Sequence, residues 1–182
     1  VDARKVNIMN MRPPEIAAAW ERGDIDATFV WDPVLAKVKQ KGKVIATSGS
    51  IAQMGYPTFE GIAVSSKFAQ ENPQFMVAFI KALNRASAQV RDNLARWTPD
   101  SPEIKAIAKW SKADPKDVPA AMALYRFPSA EEQLGVQWLE GGAAKAMTNT
   151  ATFLKSQGRI QEVRPDYAAY VNSSYVKQAI GR

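Results

Sequence analysis

Over the first 66 residues, short apolar runs alternate with helical spacings. Val6-Asn7-Ile8-Met9 predicts a strand. Pro13-Pro14-Glu15 then opens a helix, because proline fits a first turn and an acid there complements the N-terminal dipole. Ile16, Ala19 and Trp20 share one face of that helix, and Arg22-Gly23-Asp24 ends it. Ala27-Thr28-Phe29-Val30-Trp31 predicts a second strand. Asp32-Pro33 stops it and starts a helix, with Asp32 as N-cap, Pro33 at the first helical position and Val34, Leu35 and Val38 as the apolar stripe. Gly42 closes this helix, and Lys43-Val44-Ile45-Ala46 predicts a third strand. Such a βαβαβ run belongs to the α/β class, with a parallel sheet and right-handed crossovers.

Past residue 46 the pattern changes. Thr47 to Gly55 reads as a Ser/Gly-rich loop, and Phe59-Glu60-Gly61-Ile62-Ala63-Val64 as one more strand. From Ser66 onward the spacing is almost wholly helical. Phe75, Phe79, Leu83 and Val90 mark a long amphipathic helix starting at Pro73. Further helices are expected at 101–112, 115–124, 129–138 and 143–157, the last ended by Gly158, and Tyr167, Tyr170 and Val171 suggest a short C-terminal one. Three parallel strands leave two open edges, and the strand at 59–64 has no sheet of its own. The expectation is a fragment whose remaining strands are supplied by residues preceding Val1, a start that shows neither an initiating Met nor a signal-peptide core.

Composition narrows the chemistry. With no His, the Ser-His-Asp triad and every His-ligated metal site are excluded; with no Cys, so are disulfides, thiolate nucleophiles and Fe–S clusters. No nucleotide cradle of the Gly-x-Gly-x-x-Gly or Gly-x-x-x-x-Gly-Lys type occurs. No catalytic residue, no metal and no cofactor are therefore expected. The net charge of +6 is spread out. Its densest run, Lys37 to Lys43, reads as a helix C-terminus that favours cations, so a nucleic-acid partner is not expected. No apolar window is long enough to span a membrane.

Binding has more support than catalysis. In open α/β domains ligands sit at the carboxyl ends of parallel strands, which here carry Asn10-Met11-Arg12, Trp31-Asp32-Pro33 and Ser48-Gly49. Trp31 is either a flat cleft wall with a cation–π face or a core plug at a strand end. Asp32 is explained by capping alone. Glu60 interrupts an apolar strand beside Gly61, a pattern that suits either a solvent-facing position or a carboxylate for a small cation. Arg12 could meet an anion or simply water.

The run Met11-Arg12-Pro13-Pro14-Glu15-Ile16-Ala17-Ala18-Ala19-Trp20-Glu21-Arg22-Gly23-Asp24-Ile25-Asp26-Ala27 resembles the substrate-binding proteins of taurine and alkanesulfonate ABC importers. Val30-Trp31 followed by Pro33, Gly55-x-Pro57-Thr58, Phe68-Ala69-x-x-x-Pro73 and Thr152-Phe153-Leu154-Lys155-x-Gln157-Gly158 continue the likeness along nearly the whole chain.

That resemblance implies a type II periplasmic binding protein, two α/β lobes closing on ligand. Residues 1–46 would belong to lobe two, 47–58 to the hinge crossover and 59–182 to lobe one. It also implies a function: binding taurine or a related aliphatic sulfonate in the periplasm and delivering it to the membrane permease. Glu60 falls where taurine-binding members place an Asp against the ammonium, and Trp31 matches their tryptophan at the lobe boundary. Asp32 replaces a small residue, and Arg12 a polar amide. The alternatives are a binder of plain alkanesulfonate, nitrate or a thiamine-precursor pyrimidine, then an enzyme or ligand-sensing domain on the same fold. An unpaired carboxylate at residue 60 would disfavour simple anions by something on the order of several kcal/mol in a closed cleft. Exposed strand edges would also allow the fragment to associate with itself.

Overall fold

The computed structural model describes residues 5–182, so the first four residues of the expected lobe-two segment lie outside the described residues. Ten α-helices are seen among the described residues. They are α1 (Pro13–Arg22), α2 (Val34–Lys39), α3 (Ser48–Gln53), α4 (Ser66–Glu71), α5 (Pro73–Asn93), α6 (Pro102–Ser111), α7 (Val118–Met122), α8 (Ala130–Gln133), α9 (Gly142–Ser156) and α10 (Ser174–Ala179). Single 3₁₀ turns occur at Leu94–Arg96 and Ala168–Tyr170. The backbone groups into two compact units: one comprises residues up to Ile45 with Trp97–Leu124, the other Ala46–Arg96 with Tyr125–Arg182.

The first unit holds two small cores. In one, Ile16, Ala17 and Trp20 of α1 pack against Val30, Val34, Leu35 and Val38. The helix starts where the sequence places it. Pro13 and Pro14 need no N–H partner, and the Arg12 N–H donates to Glu15 Oε2 at 2.8 Å. At the other end the Asp24 N–H reaches the Ala19 carbonyl and the Gly23 N–H that of Trp20, the paired bonds of a Schellman stop. Trp20 lies over Gly42, where an added Cβ would come within 2.9 Å of Trp20 Cζ2 and 2.9 Å of the Val38 carbonyl oxygen. The C-terminal ends of α1 and α2 are therefore neighbours. The second core joins α6 and α7 through Ile104, Ala108 and Val118, ringed by Trp97, Ile107, Ala113 and Met122.

In the second unit α10 lies on α5 and α8. Val176 is buried, and the Tyr175 hydroxyl donates to the Ala69 carbonyl at 2.9 Å. Glu140 Oε1 fastens α10 further, accepting from Lys177 Nζ at 2.8 Å and Ser173 Oγ at 2.7 Å. The Lys177 hydrogen bond, then that of Ser173 and the lysine's charge, hold the Glu140 carboxyl below the usual carboxylate range. Because the folded value is depressed, this contribution is present above the unfolded carboxylate value of about 4.3 and is lost as pH falls below it. Glu140→Gln should accordingly lower the urea midpoint at pH 7, with the difference from the parent shrinking as acid is added. A difference independent of pH would show that Glu140 acts through packing instead.

Several expectations from the sequence are corrected. None of the segments 6–9, 27–31, 43–46 and 59–64 forms a strand, and no ladder occurs among the described residues, so the βαβαβ sheet is absent here. A strand exists through its neighbours' hydrogen bonds, and parallel sheets persist when both faces are covered. These segments have neither. Ile8, Phe29, Ile45 and Ile62 are 71%, 69%, 87% and 60% exposed. The helix expected at 129–138 stops at Gln133, after which Leu134 and Gly135 turn the chain. The C-terminal helix lies at α10, and Tyr167–Val171 makes only the 3₁₀ turn. Within the Thr47–Gly55 loop an unexpected helix, α3, is nucleated by reciprocal bonds between Thr47 and Ser50.

Candidate functional site

Three of the four candidate residues belong to the first unit. Arg12 precedes α1, and Trp31 and Asp32 precede α2, so each stands at the N-terminal end of its helix. That is the end at which an α/β unit presents its ligand-facing loops. Arg12 is exposed, and its guanidinium makes no hydrogen bond or ion pair among the described residues. Trp31 stands 55% exposed, so its indole is available as a wall and is not a core plug.

Asp32 has a structural task. Its Oδ1 accepts the Ala36 N–H at 2.9 Å, while the Leu35 N–H goes to the Trp31 carbonyl at 3.0 Å. The helix itself begins at Val34, one residue later than the Asp-Pro signal predicts. Capping leaves the second carboxylate oxygen for other partners. Asp32→Ala should cost about 1 kcal/mol of stability, whereas Asp32→Asn, which keeps the acceptor, should change it by only a few tenths. Urea unfolding compares the two, and equal losses would remove the capping role.

Glu60 belongs to the second unit, in the irregular stretch between α3 and α4. It is exposed, and no donor or cation meets its carboxylate among the described residues. Phe59 packs beside Gly61, its ring 3.6 Å from where a Cβ would stand, so the chain flanking Glu60 is held by an aromatic edge.

Two other features have a different character. A shallow groove lined by Ala17, Trp20, Glu21, Lys37, Val38, Gln40 and Lys41 sits at the C-terminal ends of α1 and α2, opposite the helix ends that carry Arg12 and Trp31. Among the described residues no group of three or more acidic side chains is placed to hold a metal ion, and no helix is long and apolar enough to cross a membrane. The first unit carries an exposed aromatic face, a carboxylate and a guanidinium, and the second a carboxylate with no partner among the described residues. Their chemistry is that of recognition.

Comparison with known proteins matches residues 1–99 to the model of the NMT1-like family. The taurine-binding periplasmic protein of Escherichia coli (strain K12) is 35% identical over 173 residues, 95% of this chain and 53% of that protein. A putative aliphatic sulfonates-binding protein of Bacillus subtilis (strain 168) is 31% identical over 105 residues, 57% of this chain and 31% of its own length. The chain thus spans about half the length of the first relative and a third of the second.

Proposed function

Because the chain belongs to the NMT1-like family, we propose that it is part of the substrate-binding component of an ABC importer. It takes up taurine or a related aliphatic sulfonate in the periplasm and delivers it to a membrane permease, without catalysis. The observation that carries this reading is the 35% identity along 95% of the chain to a protein named for taurine binding.

The residues fit the chemistry of such a ligand. Taurine is a zwitterion, with an ammonium at one end and a sulfonate at the other. The Glu60 carboxylate, without a partner among the described residues, accepts the ammonium. Trp31 offers an apolar face suited to the ethyl spacer. Asp32 carries a second carboxylate, and Arg12 has the charge that suits the anionic end. Residues 1–46 act as part of one lobe, 47–58 as the crossover and 59–182 as part of the other. Lobe closure on the ligand makes the signal that a permease reads.

The second relative, named for aliphatic sulfonates, supports a runner-up in which the ligand is a plain alkanesulfonate. Calorimetric titration of taurine, ethanesulfonate and nitrate into the full natural protein separates the two. Taurine binding well ahead of ethanesulfonate supports the amine-reading site. A preference for ethanesulfonate favours the runner-up, and a preference for nitrate overturns both.

A further inference from the structure

We infer that the outer face of α6 is a docking surface for a lipid bilayer with anionic headgroups. The apolar side of this helix is already engaged within the first unit. Ile104 and Ala108 are buried with Val118 of α7, and Ile107, Ala113 and Met122 pack around them. At about 3.6 residues per turn, Lys105, Ala106, Lys109 and Trp110 fall on the other side, and all four are exposed. Trp110 is 82% exposed, and the Lys109 ammonium stands 5.5 Å from the centre of its ring. Lys112, in the left-handed conformation that ends the helix, and Lys116 follow directly, both exposed. Of these four lysines only Lys105 has a carboxylate partner among the described residues, Asp100 at 3.2 Å.

The residue types select the partner. Protein interfaces are depleted in lysine and enriched in arginine, because a strongly hydrated ammonium on a flexible stem is costly to dry and to fix. Residues 97–125 hold four lysines and no arginine, so this face is a poor surface for another protein segment to cover. A headgroup layer imposes neither cost. The ammoniums stay hydrated among phosphates, while their stems and the indole lie at the boundary with the acyl chains, where tryptophan's apolar body and its N–H are both accommodated. The acids of the stretch stand apart from the indole. Asp100 is held by Lys105, Glu103 lies in the first turn of α6, Asp114 accepts the Lys116 N–H, and Asp117 precedes α7. This contact is independent of which ligand the protein carries. Under the proposed function it keeps the protein on the membrane that bears its permease.

Vesicle binding by the natural full-length protein tests this. At low salt, vesicles of equal parts phosphatidylglycerol and phosphatidylcholine should bind at least about tenfold more tightly than phosphatidylcholine alone. Tryptophan emission should shift to the blue on binding and be quenched by brominated lipid, and Trp110→Phe should abolish both changes. Lys109→Gln combined with Lys112→Gln should weaken binding about 20-fold, at about fivefold per lysine. Lys39→Gln combined with Lys43→Gln removes the same charge from exposed lysines elsewhere and should weaken it only about two- to threefold. All these side chains are exposed, so circular dichroism should show unchanged helix content. Equal affinity for the two vesicle types, or equal losses from the two lysine pairs, would overturn the inference. So would a Trp110 indole already shielded from an aqueous quencher before lipid is added, which would show that the rest of the protein covers α6. Binding to polyglutamate as tight as to the anionic vesicles would assign the face to an acidic protein instead.

Discussion

Replacing Glu60 with Gln is expected to weaken taurine binding by about 100-fold and ethanesulfonate binding by no more than a few-fold. The substitution keeps size and one acceptor oxygen but removes the charge. Leaving one member of a closed, hydrogen-bonded charge pair without its partner typically costs about 2–5 kcal/mol, and about 2.7 kcal/mol corresponds to two decades in affinity. Ethanesulfonate carries no ammonium, so for this ligand the lost carboxylate removes a repulsion, and its affinity should hold or rise slightly. The pairing of ligands isolates the electrostatic effect from any effect on folding, since a damaged fold would weaken both. Equal weakening of taurine and ethanesulfonate in titration calorimetry would return Glu60 to the status of an ordinary surface residue. Raising the salt concentration provides a second reading. A pair sealed from solvent should respond far less than an exposed one.

Ile104→Ala is expected to be the most destabilising single truncation in the first unit, at about 3 kcal/mol. Ile104 is 0% exposed, and it is the largest side chain fully buried among the described residues. It holds α6 to α7 through Ala108 and Val118, with Trp97 and Met122 at the rim. Small residues and a tryptophan edge cannot move in to fill the space of three lost carbons, so the transfer and cavity costs add. Urea unfolding followed by tryptophan fluorescence reads the loss, and Ile104→Val, expected near 1 kcal/mol, scales it. A loss below about 1 kcal/mol for the alanine variant would mean that α6 and α7 rearrange freely around the gap.

The helices were legible because their signals are local. Pro13-Pro14-Glu15 and Gly23 bracket α1 to the residue, since a missing N–H, an acid at the first turn and a Schellman stop all act within a few positions of one another. Pro73 and Pro102 open α5 and α6 on the same ground. Near the C-terminus, local spacing misled. Tyr167, Tyr170 and Val171 repeat as a helix face would, yet the segment makes only a 3₁₀ turn, with the two tyrosine rings 6.1 Å apart and the Arg164 guanidinium 5.3 Å from the Tyr170 ring. The helix forms later, where the Asn172 side chain accepts from the Ser174 N–H at 2.9 Å and Val176 finds a core to enter.

The candidate site was legible in part. Residue types and spacing singled out Trp31, Asp32, Glu60 and Arg12, but an amino-acid string does not show whether a carboxylate is engaged. The structure separates the two acids. Asp32 is committed to the start of α2 through Ala36, and Glu60 has no partner among the described residues.

By itself, then, the sequence determined the helix limits set by proline, glycine and capping residues, the exclusion of His- and Cys-based chemistry, and the family likeness that carries the functional proposal. Each of these depends on residues close together in the chain, or on residue identity alone. Tertiary structure alone decided the rest. The meeting of the C-terminal ends of α1 and α2 follows from Trp20 lying over Gly42, a contact between positions 22 apart. The four strand-type segments had every local qualification, and they stay unpaired because a β-ladder is made by its neighbours. No propensity within Val6–Met9 or Phe59–Val64 can supply the second strand that each one needs.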